Sequence, residues 1–397
     1  MDPYDAIIAG AGPVGCYAAF LLAKEKIHTA VYEEHPTIGE PLHCAGLVTE
    51  RVLDFLPTPS PELIQNKIYG AHIHAPSDFT LTLGGDHVHA LVIDRQRFDT
   101  TLANHAQHAG AELFLDHKVT TAKLHGNIIQ IELQHQGQVT QAHGKILIGA
   151  DGPHSTIRTS LGFPKPTEIL QGIGAEITDV DLDCRYVHIF TGHKIAPGFF
   201  AWIIPTNQDG TQARIGLCIG KQHDHPLTHY ITTLLKHPLI ENATVLRRFG
   251  GIIPLGALKK TTDERIMLVG DAAAQVKPAS GGGLYPGLLC TRHCATVASQ
   301  TIHKDQFTTD KLEEYHIRWT RDIGHELSLG MRFRGLYRQF TDRQLNHYIE
   351  KFNTEKIRDV INTYGDIDYP TKLALPLLRA SPSLLSLLPS MLKRTTR

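Results

Sequence analysis

Residues 4–15 read Tyr-Asp-Ala-Ile-Ile-Ala-Gly-Ala-Gly-Pro-Val-Gly. Residues 4–9 predict a short buried strand with Ile7 and Ile8 at its centre, and residues 16–23 carry small and apolar side chains at helical spacing. Between the two stands Gly10-x-Gly12-x-x-Gly15, with Pro13 inside it. Gly10 permits the tight turn, Gly12 lets the main chain approach a pyrophosphate, and Gly15 lets helix pack closely on strand. Amides at the helix start then face the phosphate charge. A second predicted strand, residues 29–32, runs into Glu33 and Glu34, with Glu33 18 residues past Gly15. An acid at that point can accept hydrogen bonds from both ribose hydroxyls of an adenosine. Taken alone the glycine triplet is a weak signal; its order of strand, helix and acid makes it a dinucleotide fingerprint. It does not separate NAD from FAD.

Two distant segments bear on that choice. Residues 145–150 (KILIGA) predict a strand ending in Asp151-Gly-Pro-His-Ser, with Arg158 one turn on, and residues 265–269 (RIMLV) predict another ending in Gly270-Asp271. Each sets an aspartate at the carboxyl end of a parallel strand, where doubly wound sheets bind ligands. The pair resembles the second and third flavin motifs of the FAD-dependent hydroxylase superfamily. That resemblance implies a tightly held FAD, with Asp271 on its ribityl chain and Asp151 beside it. Residues 92–99 (VIDRQRFD) fit the same superfamily, which implies a cofactor contact for Arg95. After Asp271, Gly281, Gly282 and Gly283 open a predicted helix. Their unhindered amides and the helix start would stabilise the negative charge of a reduced flavin.

Past the first nucleotide unit, residues 38–49 (IGEPLHCAGLVT) form a loop in which Cys44 and Ala45 can reach the flavin's substrate side. Residues 198–205 (GFFAWIIP) read as a strand whose period of two puts Phe200, Trp202 and Ile204 on one face and Phe199 and Ala201 on the other. For Cys44 and Trp202, plain core packing is the competing reading. Together with Gly270-Asp271 and the three glycines, these segments resemble the geranylgeranyl reductase family, flavoenzymes that saturate isoprenoid double bonds of lipids, chlorophyll side chains or quinones. Ile204 departs from the family's strand motif, which has a second aromatic there.

The resemblance implies an α/β fold of the para-hydroxybenzoate hydroxylase type: a Rossmann-like doubly wound FAD-binding sheet, an antiparallel substrate sheet and a helical C-terminal part. It also implies reduction of carbon–carbon double bonds by hydride from reduced FAD, with Cys44 catalytic and Phe200 and Trp202 lining the isoprenoid pocket. An isolated alkene has no carbonyl to stabilise charge, so such chemistry needs a proton donor and a dry pocket. The electron donor is open among NADPH, NADH, a ferredoxin and a deazaflavin. An aromatic monooxygenase on the same scaffold is the alternative. A halogenase would carry a tryptophan-rich motif, and the chain holds only 2 tryptophans. A non-enzymatic flavoprotein is a third reading, against which the substrate-face motifs argue.

The chain has 397 residues, 42% hydrophobic and 20% charged, as expected of a folded protein with several lobes. With 39 basic and 40 acidic residues it offers no sequence-wide field for nucleic acid or an anionic membrane. The 6 cysteines form no C-x-x-C pair and the 25 histidines no metal-ligand spacing, so no disulfide framework and no metal are expected. The opening residues show no signal peptide and no apolar run is long enough to span a bilayer, so a cytoplasmic protein is expected. The expected FAD-binding domain is discontinuous, residues 1–68, 90–160 and 262–330. The antiparallel substrate domain takes residues 69–89 and 161–261, and a helical region residues 331–397. The leucine-rich stretch 373–392 is broken by Pro376, Pro382 and Pro389. It reads either as a cap on the protein's own core or a dimer contact, which the prolines favour, or as a peripheral contact with a membrane carrying the lipid substrate.

Overall fold

The computed structural model describes residues 3–387, and the elements below are those of the described residues. Tyr4–Ala9 pairs in parallel with Thr29–Tyr32 on one side and with the second half of the long Gln138–Gly149 strand on the other. Glu112–Phe114 and Ile266–Leu268 extend this parallel arrangement within a sheet of eight strands. The first half of Gln138–Gly149 pairs antiparallel with Ile128–His135, and that strand with Lys118–His125.

Successive side chains of a strand point to opposite faces. Ala6 and Ile8 enter a core shared with the helices Pro13–Lys24, Arg95–Ala109 and Leu284–His303. Ile7 and Ala9 enter a second core with Ile129, Ile131 and Leu147. Both faces are covered, which is why the strand reads as an unbroken apolar run.

Local signals then set the termini that matter. The Asp94 carboxylate accepts the Arg97 amide at 3.0 Å and so starts the Arg95–Ala109 helix with Arg95 in its first turn. Gly110, at φ 109°, ends it. The buried Tyr315 hydroxyl donates to the Leu268 carbonyl at 2.9 Å and accepts Gln275 Nε2 at 2.9 Å. Gln275 Oε1 in turn accepts the Gly270 amide at 2.8 Å. This network bolts the helix Thr309–Trp319, whose Leu312, Tyr315 and Trp319 are buried, to the Gly270-Asp271 turn.

A second sheet of seven strands roofs the strand ends. Its order is Thr244–Leu255, Glu168–Thr178, Gln212–Ile219, Phe200–Pro205, Tyr186–Thr191, Gly70–His74 and Thr80–Gly84. One face packs Ala201, Ile203, Ile215 and Leu217 against the helix Leu227–Leu235. Leu47–Val48, Ile64–Ile68 and Ala90–Ile93 form a small sheet of their own. Its Ile68, Ala90 and Val92 pack against Val187 and Ile204 of the roof, so these segments are shared between the lobes and do not belong to the cofactor sheet.

Thr371–Ala380 is helical but buries none of its side chains, and Leu375 is 56% exposed. It packs on the neighbouring helix Glu355–Tyr364, and Leu384 just beyond it is buried. Pro389, Leu392, Lys393, Arg394 and Arg397 lie outside the described residues. Among the described residues no helix is long and apolar enough to cross a membrane.

On the roof's other strands the histidines do have a structural place. Tyr186, His72, His188, His74 and Phe190 form a continuous ring stack with centroids 4.3 to 5.2 Å apart. Burial, then the neighbouring histidines, pushes the pKa of His74 down to about 4 and that of His188 to about 3. Both folded values lie below the unfolded value of about 6.5. The stability they contribute is therefore complete above that pH and lost as the pH falls toward 4 and 3. The urea midpoint is expected to be level between pH 7 and 8 and to drop below pH 6.5, with a shallower drop in His188→Phe. An identical acid slope in that variant would contradict the assignment.

Candidate active site

Chain ends that are far apart in sequence converge at the carboxyl edge of the parallel sheet. A Cβ at Gly10, where φ is +96°, would lie 2.5 Å from the Ala150 carbonyl oxygen, so the first and second motifs are in contact. A Cβ at Gly15 would lie 2.0 Å from the Gly10 carbonyl oxygen, which is the close packing of helix on strand that the motif requires. Around Gly12 a Cβ would meet nothing within 4 Å, leaving the main chain open to a ligand beside Pro13. The Glu33 carboxylate accepts the Ala11 amide at 2.7 Å and the His35 amide at 3.0 Å, placing it against the glycine turn.

Asp271 stands in the same cleft. It is half-buried, and no hydrogen bond to its carboxylate exists among the described residues. Burial pushes its pKa up to about 6, against the pull of Arg95 and Arg158. A Cβ at Gly283 would lie 2.7 Å from Asp271 Oδ1, so that glycine keeps the carboxylate clear. A half-buried acceptor without a protein donor fits a polyhydroxyl chain that brings its own donors. Gly281, at φ 72°, sits against Ile253 and Phe199 of the roof, and Gly282 against Lys277. Lys277 Nζ pairs at 2.6 Å with Asp368, itself bound by Arg51 at 3.1 Å. The start of the Leu284–His303 helix, the three glycines and Lys277 together give this edge positive character.

Two expected cofactor residues behave differently. Both Asp151 oxygens are engaged in their own turn, accepting Ser155 Oγ at 2.7 Å and the Ile157 amide at 2.9 Å. Its neighbour Arg158 carries the connection to the third motif, donating to the Ala272 carbonyl at 3.0 Å. Glu34 turns outward to pair with Lys118 at 2.6 Å, because the strand ends at Tyr32 and the chain bends away.

Cys44 and Arg95 meet. The Arg95 guanidinium is clamped by Asp99 at 3.1 and 2.9 Å and lies beside the Cys44 sulfur. Burial opposes the charge, but Asp99 and Cys44 outweigh it and hold the Arg95 pKa above the ordinary value. Cys44 is half-buried and belongs to no apolar core cluster, whereas Ala45 packs on the small shared sheet. His43 Nδ1 lies 2.7 Å from the Gly250 carbonyl, so the loop runs beneath the roof.

The roof's remaining face is floored by glycine. Gly172 pairs with Gly251 and Cys218, and Gly174 with Gly216 and Phe249. A Cβ at Gly216 would lie 2.5 Å from the Trp202 ring, and one at Gly174 2.5 Å from the Phe249 ring. Small residues thus let both aromatics lie flat across the strands. Phe200 and Trp202 join Phe199, Leu170 and Val276 in one cluster. Phe199 was expected on the opposite face; the strand begins only at Phe200, so the period of two does not reach it, and it stacks on Phe200 at 4.3 Å. The Trp202 indole N–H is buried without a partner. At one end the face becomes polar, where Glu176 joins Arg214 at 3.0 Å and Arg247 at 2.6 Å.

Sequence reasoning missed Arg214, Glu176, Lys277 and the glycine floor. The signal for the floor was present as Gly-Ile-Gly at 172–174 and Gly-Gly at 250–251 inside predicted strands. The histidines also offered more than expected: Asp86, His87 and His89 bring donor atoms within 4.8 Å of one another on an exposed loop.

Comparisons with known proteins bear on the family and the fold. The family described as FAD binding domain matches residues 3–288. A digeranylgeranylglycerophospholipid reductase of Methanocaldococcus jannaschii is 30% identical over 357 residues, 88% of this chain and 90% of its own. An uncharacterized protein of the same organism is 32% identical over 96% of both chains. The crystal structure of a geranylgeranyl bacteriochlorophyll reductase-like protein from Thermoplasma acidophilum superposes with a TM-score of 0.87 at 21% identity, covering 99% of this chain and 100% of that one.

Asp271→Ala is expected to purify colourless, and retained yellow cofactor would contradict the ribityl contact. Because Asp271 titrates at about 6, apoprotein should bind FAD more weakly as the pH falls through that value. Fluorescence titration at pH 5 and pH 7 checks this, with Asp271→Asn expected to lose the pH dependence.

Proposed function

As the chain belongs to the geranylgeranyl reductase family of FAD-dependent oxidoreductases, we propose that it saturates carbon–carbon double bonds in the geranylgeranyl-type chain of an isoprenoid lipid. The observation that carries this reading is the glycine-floored roof face, with Phe200, Trp202 and Phe249 spread across it and the Cys44 loop beneath. A flat apolar trough suits a flexible polyene, which offers no polar handle along its length.

Gly10, Gly12, Pro13, Gly15 and Glu33 would hold the adenosine diphosphate half of FAD. Arg95, Asp271 and Gly281 to Gly283 would hold the remainder. Bound and reduced by an external donor, FAD supplies a hydride to one alkene carbon while a proton reaches the other, adding two electrons and two hydrogens per bond. The protein's share is to exclude water, to seat the alkene against the roof, and to hold a proton donor. Cys44 would stand at the reacting side, with the Arg95 guanidinium at its sulfur. The apolar trough keeps bulk water from the developing charge. The exposed Thr371–Ala380 helix would lie on the bilayer from which such a lipid is taken.

Anaerobic protein reduced with dithionite and mixed with a geranylgeranyl lipid should show flavin reoxidation together with a product heavier by two hydrogens per bond reduced. Indifference to alkenes, with substrate-dependent consumption of oxygen, would point instead to a monooxygenase. Cys44→Ser should retain FAD and lower the single-turnover rate about 100-fold, the scale of one lost proton-transfer group. An unchanged rate would return Cys44 to a packing role.

A further inference from the structure

The Arg214 side chain is 5% exposed and holds acceptors from four separate segments. Nε donates to Glu176 Oε1 at 3.0 Å on the neighbouring roof strand, and Nη2 to Gln65 Oε1 at 2.9 Å on the small shared sheet. Nη1 donates to the Ala45 carbonyl at 3.2 Å and to the Ile93 carbonyl at 3.1 Å. Ala45 follows Cys44 directly, and Ile93 stands two residues before Arg95. One guanidinium therefore spans from the roof to both chain segments that deliver the Cys44–Arg95 contact.

The loop is shaped to receive it. Gly46 has φ +75°, and a Cβ there would lie 2.5 Å from Arg214 Nη1 and 2.6 Å from the Ile93 carbonyl oxygen. The Gly46 amide points back to Cys44 Sγ at 3.4 Å. Any side chain at position 46 would push the fork off its two carbonyls. Stability is a poor reason for this arrangement, since a buried ion pair gains little once desolvation is subtracted. Geometry is a better one: a planar fork fixes several acceptors at once, which a lysine ammonium cannot.

We propose that Arg214 is a positioning residue that sets Cys44 against Arg95 and ties that setting to the roof strand. The placement of Cys44 at the reacting carbon rests on the reductase reading above; the clamp itself does not. A substrate seated on the roof would in this way share one rigid reference with the residue beneath it.

Peptide-resolved alkylation of the FAD-loaded protein by iodoacetamide tests the clamp. Cys44 and Cys184 are half-buried, and the ratio of their labelling rates is the readout. Cys16, Cys218, Cys290 and Cys294 are buried and report whether the fold is intact. In Arg214→Lys the ratio is expected to rise about 10-fold with the four buried cysteines still protected, and kcat on a geranylgeranyl lipid to fall about 10-fold with KM within about 2-fold, as for a misplaced group that does not bind substrate. A folded Arg214→Lys protein whose ratio stays at the wild-type value overturns the proposal. Should that variant expose the buried cysteines, Glu176→Gln takes its place, with a rise of about 3-fold expected because only the charge behind the fork is removed, and an unchanged ratio overturns the proposal equally. A wild-type protein inactive on alkenes, combined with a loosened Cys44 in the variant, would remove the reductase reading and keep the clamp.

Discussion

A carboxylate drawn partly out of water without a hydrogen-bond donor is costly, and half-buried Asp271 in the cleft is one. Asp271 is held in that condition by several independent features. Gly283 leaves it clear, the Gln275–Tyr315 network fixes the turn that carries it, and Arg95 and Arg158 supply charge without a hydrogen bond. The parallel sheet makes this possible, because strands distant in sequence all end at one edge. Contacts at Gly10 with Ala150, and at Arg158 with Ala272, then lock the three motifs together. Together they form one preorganised cradle for FAD.

The substrate side follows a different logic. For the polyene substrate proposed, specificity cannot come from hydrogen bonds along the chain and has to come from shape and exclusion of water. Glycines in the interior of strands weaken a sheet, yet this roof places them at paired positions on one face. Their return is space: two aromatic rings lie flat where side chains would otherwise stand. Polar chemistry is confined to the edges of that face, at Cys44 with Arg95 and at the Glu176 ion pairs.

Much of the cofactor half was legible because its requirements are local. A positive φ at Gly10, an open main chain at Gly12 and an acid after the second strand each follow from a few adjacent residues. The turn at Asp271 was readable for the same reason. Where the reading went astray, a neighbouring interaction prevailed over the local pattern. Phe199 escaped the alternation because its strand starts one residue later, and it stacks on Phe200 instead. The Arg214 clamp was out of reach altogether, for its partners lie 38, 169, 121 and 149 residues away along the chain. No local periodicity carries such information.

The most direct test of this account is a crystal structure of the protein with FAD and a geranylgeranyl lipid bound. The account predicts the isoprenoid chain against the Phe200, Trp202 and Phe249 rings of the glycine-floored face, the ribityl hydroxyls on Asp271, and the Cys44 sulfur beside the alkene nearest the flavin. A lipid chain bound away from the glycine face, or a flavin whose ribityl chain avoids Asp271, would contradict it.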